Sequence, residues 1–263
     1  MDAAEKMPLM GHLGELRKRL FHSAIALCLL FTVTFAYSEN IFRALVMPMN
    51  TDLEFSLSSP FIKFVPREGG ISKLVFLAPA EAFWAHMKIA MIAAFVLGVP
   101  YLFFEIWRFI SPGLREKERR YALPFIVAGT GLFVAGAAFC FFLVLPFAMR
   151  FLLTYKTESM TAMITVEKYV DFCLKFILAF GVIFELPIVI VFLTRMGIVT
   201  ADTLARHRKY AVLVAFIAAA FLTPTPDAFN QVLMAVPMIV LYEGGILASR
   251  ILGAPVKKKE ASE

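Results

Sequence analysis

Four carboxylates in this sequence stand where a carboxylate is least expected. Glu15 lies in a basic run, His12-Leu13-Gly14-Glu15-Leu16-Arg17-Lys18-Arg19-Leu20, directly before the first long apolar stretch. Glu118 lies in a second basic run, Arg115-Glu116-Lys117-Glu118-Arg119-Arg120, just before the third apolar stretch. Glu185 sits inside an apolar stretch, Phe180-Gly181-Val182-Ile183-Phe184-Glu185-Leu186-Pro187, and Asp227 follows Thr223-Pro224-Thr225-Pro226. Carboxylates beside a dry boundary accept guanidinium groups well, because a planar fork of N–H donors matches two carboxylate oxygens. They would hold a cation rather than catalyse a reaction. The sequence has no HExxH, no GxSxG and no glycine-rich phosphate loop, and His22, His86 and His207 show no metal-ligand spacing. No cofactor is expected.

Each acid also has an ordinary reading. Glu15 and Arg19 are spaced i, i+4, a surface pair worth only a few tenths of a kcal/mol. Glu118 can be one member of a solvated charge run, or a second acid on the same membrane side as Glu15. A carboxylate at membrane depth costs about 2.5–3.5 kcal/mol on insertion scales, so Glu185 calls for a functional partner or an interhelix hydrogen bond. Pro187 should kink its helix nearby. Asp227 reads as a helix N-cap in a tight turn, or as part of a polar patch with Gln231 one turn further on.

The elements that must place these acids are membrane helices. The chain has 263 residues, 60% of them hydrophobic, with a mean hydropathy of +0.77. Soluble domains run nearer ~45–50% apolar. Six spans are expected: Leu20–Tyr37, Ala82–Phe104, Tyr121–Phe147, Phe172–Thr194, Tyr210–Leu222 and Phe229–Leu247. The fifth is short, roughly 20 Å of helix against a ~30 Å hydrocarbon core. The sixth opens on polar Asn230 and Gln231, so its apolar part is short too. The first apolar run exceeds the ~7–15 residues of a cleavable signal, so it is read as a retained helix. The leucine stripe Leu9, Leu13, Leu16, Leu20 is read as an amphipathic helix on the membrane surface ahead of the first span.

Lys and Arg set the orientation. They crowd the N-terminal segment, the second-to-third loop, the fourth-to-fifth loop and the tail, including Lys6, Arg17, Lys18, Arg19, Arg108, Arg115, Arg206, Arg208 and Lys257. The opposite loops carry fewer, such as Arg43, Lys63, Arg150 and Lys168. Both termini are therefore expected in the cytoplasm. The first external loop is expected to hold a short helix near Ile41–Met47 before Pro48, then a folded cap without long elements. Residues 1–253 read as one domain and 254–263 as a disordered tail. Cys28, Cys140 and Cys173 lie in apolar stretches and read as packing residues. No basic stretch is interleaved with aromatics in the manner of a nucleic-acid site.

Four blocks together resemble the TatC family, a subunit of the twin-arginine protein translocase. They are Met7-Pro8-Leu9…His12-Leu13…Glu15-Leu16-Arg17…Arg19; Trp107…Phe109…Ser111-Pro112-Gly113-Leu114…Glu118-Arg119-Arg120; Phe180-Gly181…Phe184-Glu185…Pro187; and Thr223-Pro224…Pro226-Asp227…Gln231 with Pro237. The resemblance implies an all-α, six-span, curved glove-like bundle in the bacterial cytoplasmic (inner) membrane. It implies a non-enzymatic receptor for twin-arginine signal peptides of folded precursors, with export driven by the proton-motive force. Glu15 and Glu118, with Leu16, Arg17 and Arg19 beside them, would bind the peptide. Glu185, with Pro187 and Gln231, would serve assembly with single-span TatA and TatB subunits in homo- and hetero-oligomers within the lipid. Asp227 and Pro226 would form a sensitive external turn. Thr225 separates two prolines that some relatives place side by side. The rival reading is a proton-coupled secondary transporter using Glu185, although the sequence shows no internal repeat of the kind such carriers use.

Overall fold

The computed structural model describes residues 9–55, 62–66, 74–111, 122–154, 163–223, 225 and 227–252. The segment 112–121, with Glu118, lies outside them, as do Pro226 and the tail. The chain forms two compact units: residues 1–44 with 79–131, and residues 45–78 with 132–263.

The first unit is built on α1 (Leu9–Ala36) and α3 (Pro79–Ile110). The 28-residue α1 runs unbroken from the basic segment into the apolar one. This corrects the expectation of a separate surface helix. Gly11 and Gly14 are its weak points, each poorer than alanine by roughly 1 kcal/mol, and neither breaks it. At ~1.5 Å per residue, α1 is about 42 Å long and exceeds a ~30 Å core. It therefore carries Glu15 on its own axis instead of on a hinged segment.

Helix α3 packs antiparallel to α1. Thr34 Oγ1 donates to the Ala90 carbonyl at 2.7 Å, and further along Arg19 meets Glu105. Between them, Gly98 makes the close approach possible, since a Cβ there would stand 2.9 Å from Leu27. The short helix α2 (Ser38–Val46) matches the expected interfacial helix and ends before a 3-10 turn, Met47–Asn50, that contains Pro48. On α3, His86 faces α2, with its Nε2 3.6 Å from Glu39 and its ring 5.5 Å from that of Phe42.

The second unit begins with a hairpin, β1 (Thr51–Phe55) antiparallel to β2 (Ile62–Pro66), registered Thr51 with Pro66 and Phe55 with Ile62. This is the short-element cap expected from the prolines and glycines of that loop. Helix α4 (Ala122–Phe139) continues through a π turn, Cys140–Val144, into α5 (Leu145–Thr154). The π turn has a local cause. Pro146 has no N–H to give, and the preceding Leu145 N–H reaches back five residues to the Cys140 carbonyl.

The expected fourth span is two helices, α6 (Val166–Ile183) and α7 (Leu186–Arg195), joined at Phe184–Glu185. Pro187, in the first turn of α7, cannot extend the ladder of α6. The sequence reading expected a kink there and the structure has a break. Helices α8 (Ala201–Arg206), α9 (Arg208–Leu222) and α10 (Ala228–Leu252) complete the chain. The unit is tied by Tyr169, whose hydroxyl donates to the Leu45 carbonyl at 2.7 Å, and by the backbone bridge of Val75 with Thr165.

Among the described residues, five segments are long and apolar enough to cross a membrane: Leu13–Ala36, Pro79–Ile110, Ala122–Thr154, Val166–Arg195 and Ala228–Leu252. Helix α9, with 15 residues, is too short to qualify. The shortness expected of the fifth span is therefore present.

Candidate functional site

The Glu15 end of α1 meets the C-terminal end of α3, and the charged groups there form a connected set. Arg19 Nη2 donates to Glu15 Oε1 at 3.0 Å, and Arg19 Nη1 donates to Glu105 Oε2 at 3.3 Å. The Tyr101 hydroxyl donates to Glu105 Oε1 at 2.9 Å. Glu105 is only 3% exposed. A carboxylate so buried requires paired donors, because leaving one unmade costs the full desolvation of the group. Both of its oxygens have one. Glu15 keeps 18% of its side chain accessible and, among the described residues, engages one oxygen.

The ordinary i, i+4 pairing of Glu15 and Arg19 is therefore real, but it is not isolated. The sequence reading missed Glu105 and Tyr101. It ended the second span at Phe104, whereas α3 runs on to Ile110 and makes Glu105 a helical residue. The i, i+4 spacing of Tyr101 and Glu105, on a helix that had to face α1, was the available signal.

Leu16 and Arg17 are exposed. Arg17 and Lys18 border an open cleft of about 600 Å³, lined also by Gly14, Leu20, Phe21 and Ala24. Glu118 falls outside the described residues, so its spacing from Glu15 is not part of the geometry.

Glu185 lies at the α6–α7 junction. Both of its carboxylate oxygens are buried and make no hydrogen bond of good geometry among the described residues, the backbone of Phe133 being the polar group that comes near them. Its backbone is well placed, with its N–H on the Val182 carbonyl and its carbonyl accepting from Val189. Close packing fixes this break. Gly136 of α4 abuts the Phe180 carbonyl, Gly181 of α6 cradles the Phe133 ring, and Phe139 lies 5.5 Å from Phe184. Pro187 then packs against Gly245 of α10.

At the α9–α10 turn, Asp227 is the N-cap expected from the sequence. Its Oδ1 accepts from the Asn230 backbone N–H at 2.7 Å and its Oδ2 from the Asn230 side chain at 2.9 Å. Asn230, fully buried, also donates to Thr225 Oγ1 at 3.0 Å. Gln231 points the other way and donates from Nε2 to the Phe216 carbonyl on α9 at 3.1 Å. Gln231 therefore braces the two short helices against each other. Desolvation pushes the Asp227 carboxyl up, but the groups of Asn230, Thr225 and Phe229 outweigh it and hold the carboxyl below the ordinary carboxylate range.

The sign for stability follows from this lowered pKa. Asp227 contributes fully above its ordinary value, and the contribution is lost as pH falls through the lowered one. Asp227→Ala should cost about 1 kcal/mol, the usual worth of a cap. It should also flatten the acid limb of the unfolding profile. Thermal unfolding in detergent at neutral pH and near pH 3 checks this; an unchanged acid limb would count against the cap.

Long apolar helices carrying carboxylates at their ends and breaks define a polytopic membrane protein. A model of the family described as "Sec-independent protein translocase protein (TatC)" matches residues 11–237. The Sec-independent protein translocase protein TatC of Desulforapulum autotrophicum is 37% identical over 98% of this chain and 89% of its own length. That of Carboxydothermus hydrogenoformans is 39% identical over 97% and 96%. The crystal structure of a twin-arginine translocase receptor, TatC, superposes with a TM-score of 0.74 at 33% identity, covering 92% of this chain and 99% of that one. The chain belongs to the TatC family. It is thus an integral protein of a bacterial membrane and a translocase component rather than an enzyme. The family gives the carrier reading no support.

Proposed function

We propose that this chain is the receptor subunit that binds twin-arginine signal peptides of folded precursors at the cytoplasmic face of the inner membrane. The carrying observation is that Glu15 already holds a guanidinium, that of Arg19, at 3.0 Å, and that its other oxygen has no partner among the described residues. Glu118, close to the C-terminal end of α3 in sequence, is the second acid of this reading, and exposed Leu16 and Arg17 flank the entry. In this reading α9 is the fifth of six spans, both termini are cytoplasmic, and the proton-motive force drives export. Photo-crosslinkers at positions 15 and 118 should capture a twin-arginine peptide in preference to a twin-lysine one. Equal capture would defeat the proposed arginine site.

Glu185 is read as the docking point for single-span TatA- and TatB-type helices, in homo- and hetero-oligomers. Two buried carboxylate oxygens, with no well-formed hydrogen bond among the described residues and only the Phe133 backbone near them, favour a donor supplied by another chain. Pro187 seats α7 against α10, Gln231 braces α9 against α10, and Asp227 caps the external turn. Glu185→Ala should leave peptide binding within about twofold and lower co-purification of the small subunits about tenfold, the scale of one charge-assisted hydrogen bond. Undiminished co-purification would remove Glu185 from the interface.

A further inference from the structure

The Glu15–Arg19–Glu105 set contains two carboxylates and one guanidinium, so it carries one negative charge in excess beside the membrane. Its contacts are unequal. Glu105 is buried and both of its oxygens are engaged, by Tyr101 at 2.9 Å and by Arg19 at 3.3 Å. Glu15 is partly open, and its Oε2 has no partner among the described residues. Arg19 touches each acid through a single nitrogen.

That division is informative. A guanidinium prefers to close on one carboxylate with two parallel N–H bonds, and the i, i+4 spacing puts Glu15 within reach of such a fork. Arg19 does not make it in this structure: Glu105 on α3 draws Nη1 away, and Nε is buried without a partner among the described residues, so the guanidinium is turned between the two acids. The acid doing the drawing is itself held still by Tyr101, one turn earlier on its own helix.

We propose that Glu105, oriented by Tyr101, is a positioning residue. It tethers Arg19 so that Arg19 cannot close over Glu15, and this keeps Glu15 open to an arriving guanidinium of a peptide with paired arginines. This rests on the receptor reading above but replaces the peptide-binding role that the family resemblance implies for Arg19: the chain's own arginine is the ligand's competitor, and Glu105 restrains it. When the peptide arrives, its guanidinium takes the free oxygen of Glu15 while Arg19 stays attached to Glu105. The incoming charge then neutralises the set.

The test is an epistasis measurement on the full-length chain in membrane vesicles, reading the affinity of a fluorescent twin-arginine peptide. Glu105→Gln keeps the shape and a Tyr101 partner but weakens the hold on Arg19. It should lower affinity about tenfold, the scale of one charge-assisted hydrogen bond. Adding Arg19→Gln to Glu105→Gln removes the competitor and should restore affinity to within about threefold of the parent. A structural role for Glu105 predicts no such rescue, since the double variant has lost more of the set. A double variant as weak as Glu105→Gln alone, or a Glu105→Gln variant with parental affinity, overturns the inference. Glu15→Gln is run beside them. If it binds like the parent, the receptor reading itself has failed. If it loses binding while Glu105→Gln does not, only the positioning role has failed. Should Glu105→Gln not insert, Tyr101→Phe loosens the same tether and carries the same test, with a smaller loss and the same rescue by Arg19→Gln.

Discussion

Glu15→Lys is expected to abolish export of a twin-arginine precursor while leaving the chain inserted. The substitution removes the acceptor proposed for a ligand guanidinium and puts an ammonium where the carboxylate lay 3.0 Å from Arg19. Two unit charges ~4 Å apart interact by about 4 kcal/mol at the effective dielectric of a protein surface. That is close to a thousandfold in affinity, before the lost attraction is counted. The fold should survive, because Glu15 lies near one end of α1, partly exposed, and α1 is held to α3 further along through Thr34 and Gly98. Glu15→Gln loses the charge without reversing it and should be milder. A reporter precursor assayed for export, with the variant's membrane level measured in parallel, decides the matter. Normal export by an inserted Glu15→Lys protein would sink the receptor assignment.

The second large effect is structural and opposes the usual propensity rule. Glycine to alanine in a helix interior normally gains up to about 1 kcal/mol. At Gly136 the new Cβ would stand 2.5 Å from the Phe180 carbonyl oxygen and 2.7 Å from the Phe184 ring. Backbone oxygen cannot step aside as a side chain can. Overpacking of this kind costs typically 1–3 kcal/mol and occasionally more, and here it falls beside the α6–α7 break that seats Glu185. Gly136→Ala should therefore lower the thermal midpoint and the yield of monodisperse protein. At Gly131, five residues earlier on α4, an added methyl would meet nothing within 4 Å. Gly131→Ala should be neutral or slightly stabilising. If the two alanines behave alike in detergent-solubilised unfolding, the close approach of α4 to α6 is wrong.

The membrane helices were legible because hydropathy over ~20 residues is a strong signal, and the composition leaves few other ways to fold. Boundaries were less legible. Charge changes at Leu20, which marks it as the start of an apolar span, but helix hydrogen bonding does not stop where charge begins, and α1 starts at Leu9. The same habit ended the second span at Phe104 and hid Glu105. Proline at 187 predicted a disturbance correctly but not its size, because whether a helix bends or breaks depends on the neighbours, here Gly136 and Gly245. The Asp227 cap was readable from residue type and position alone. Its buried partner Asn230 was seen only as a polar residue shortening a span. Tertiary partners such as Arg19 with Glu105, 86 positions apart, have no local signature.

The π turn at Cys140–Val144 sets a phase. Each residue of an α-helix turns the chain by about 100°, so the extra residue accommodated there decides which way every side chain after it points. Val144, Leu145, Ala148 and Met149 face inward because of it. Removing one residue between Cys140 and Val144 would leave the helix long enough and apolar enough, yet it would roll the whole of α5 by more than a quarter turn and present its inner face to lipid. In this stretch the count of residues carries as much information as their kind.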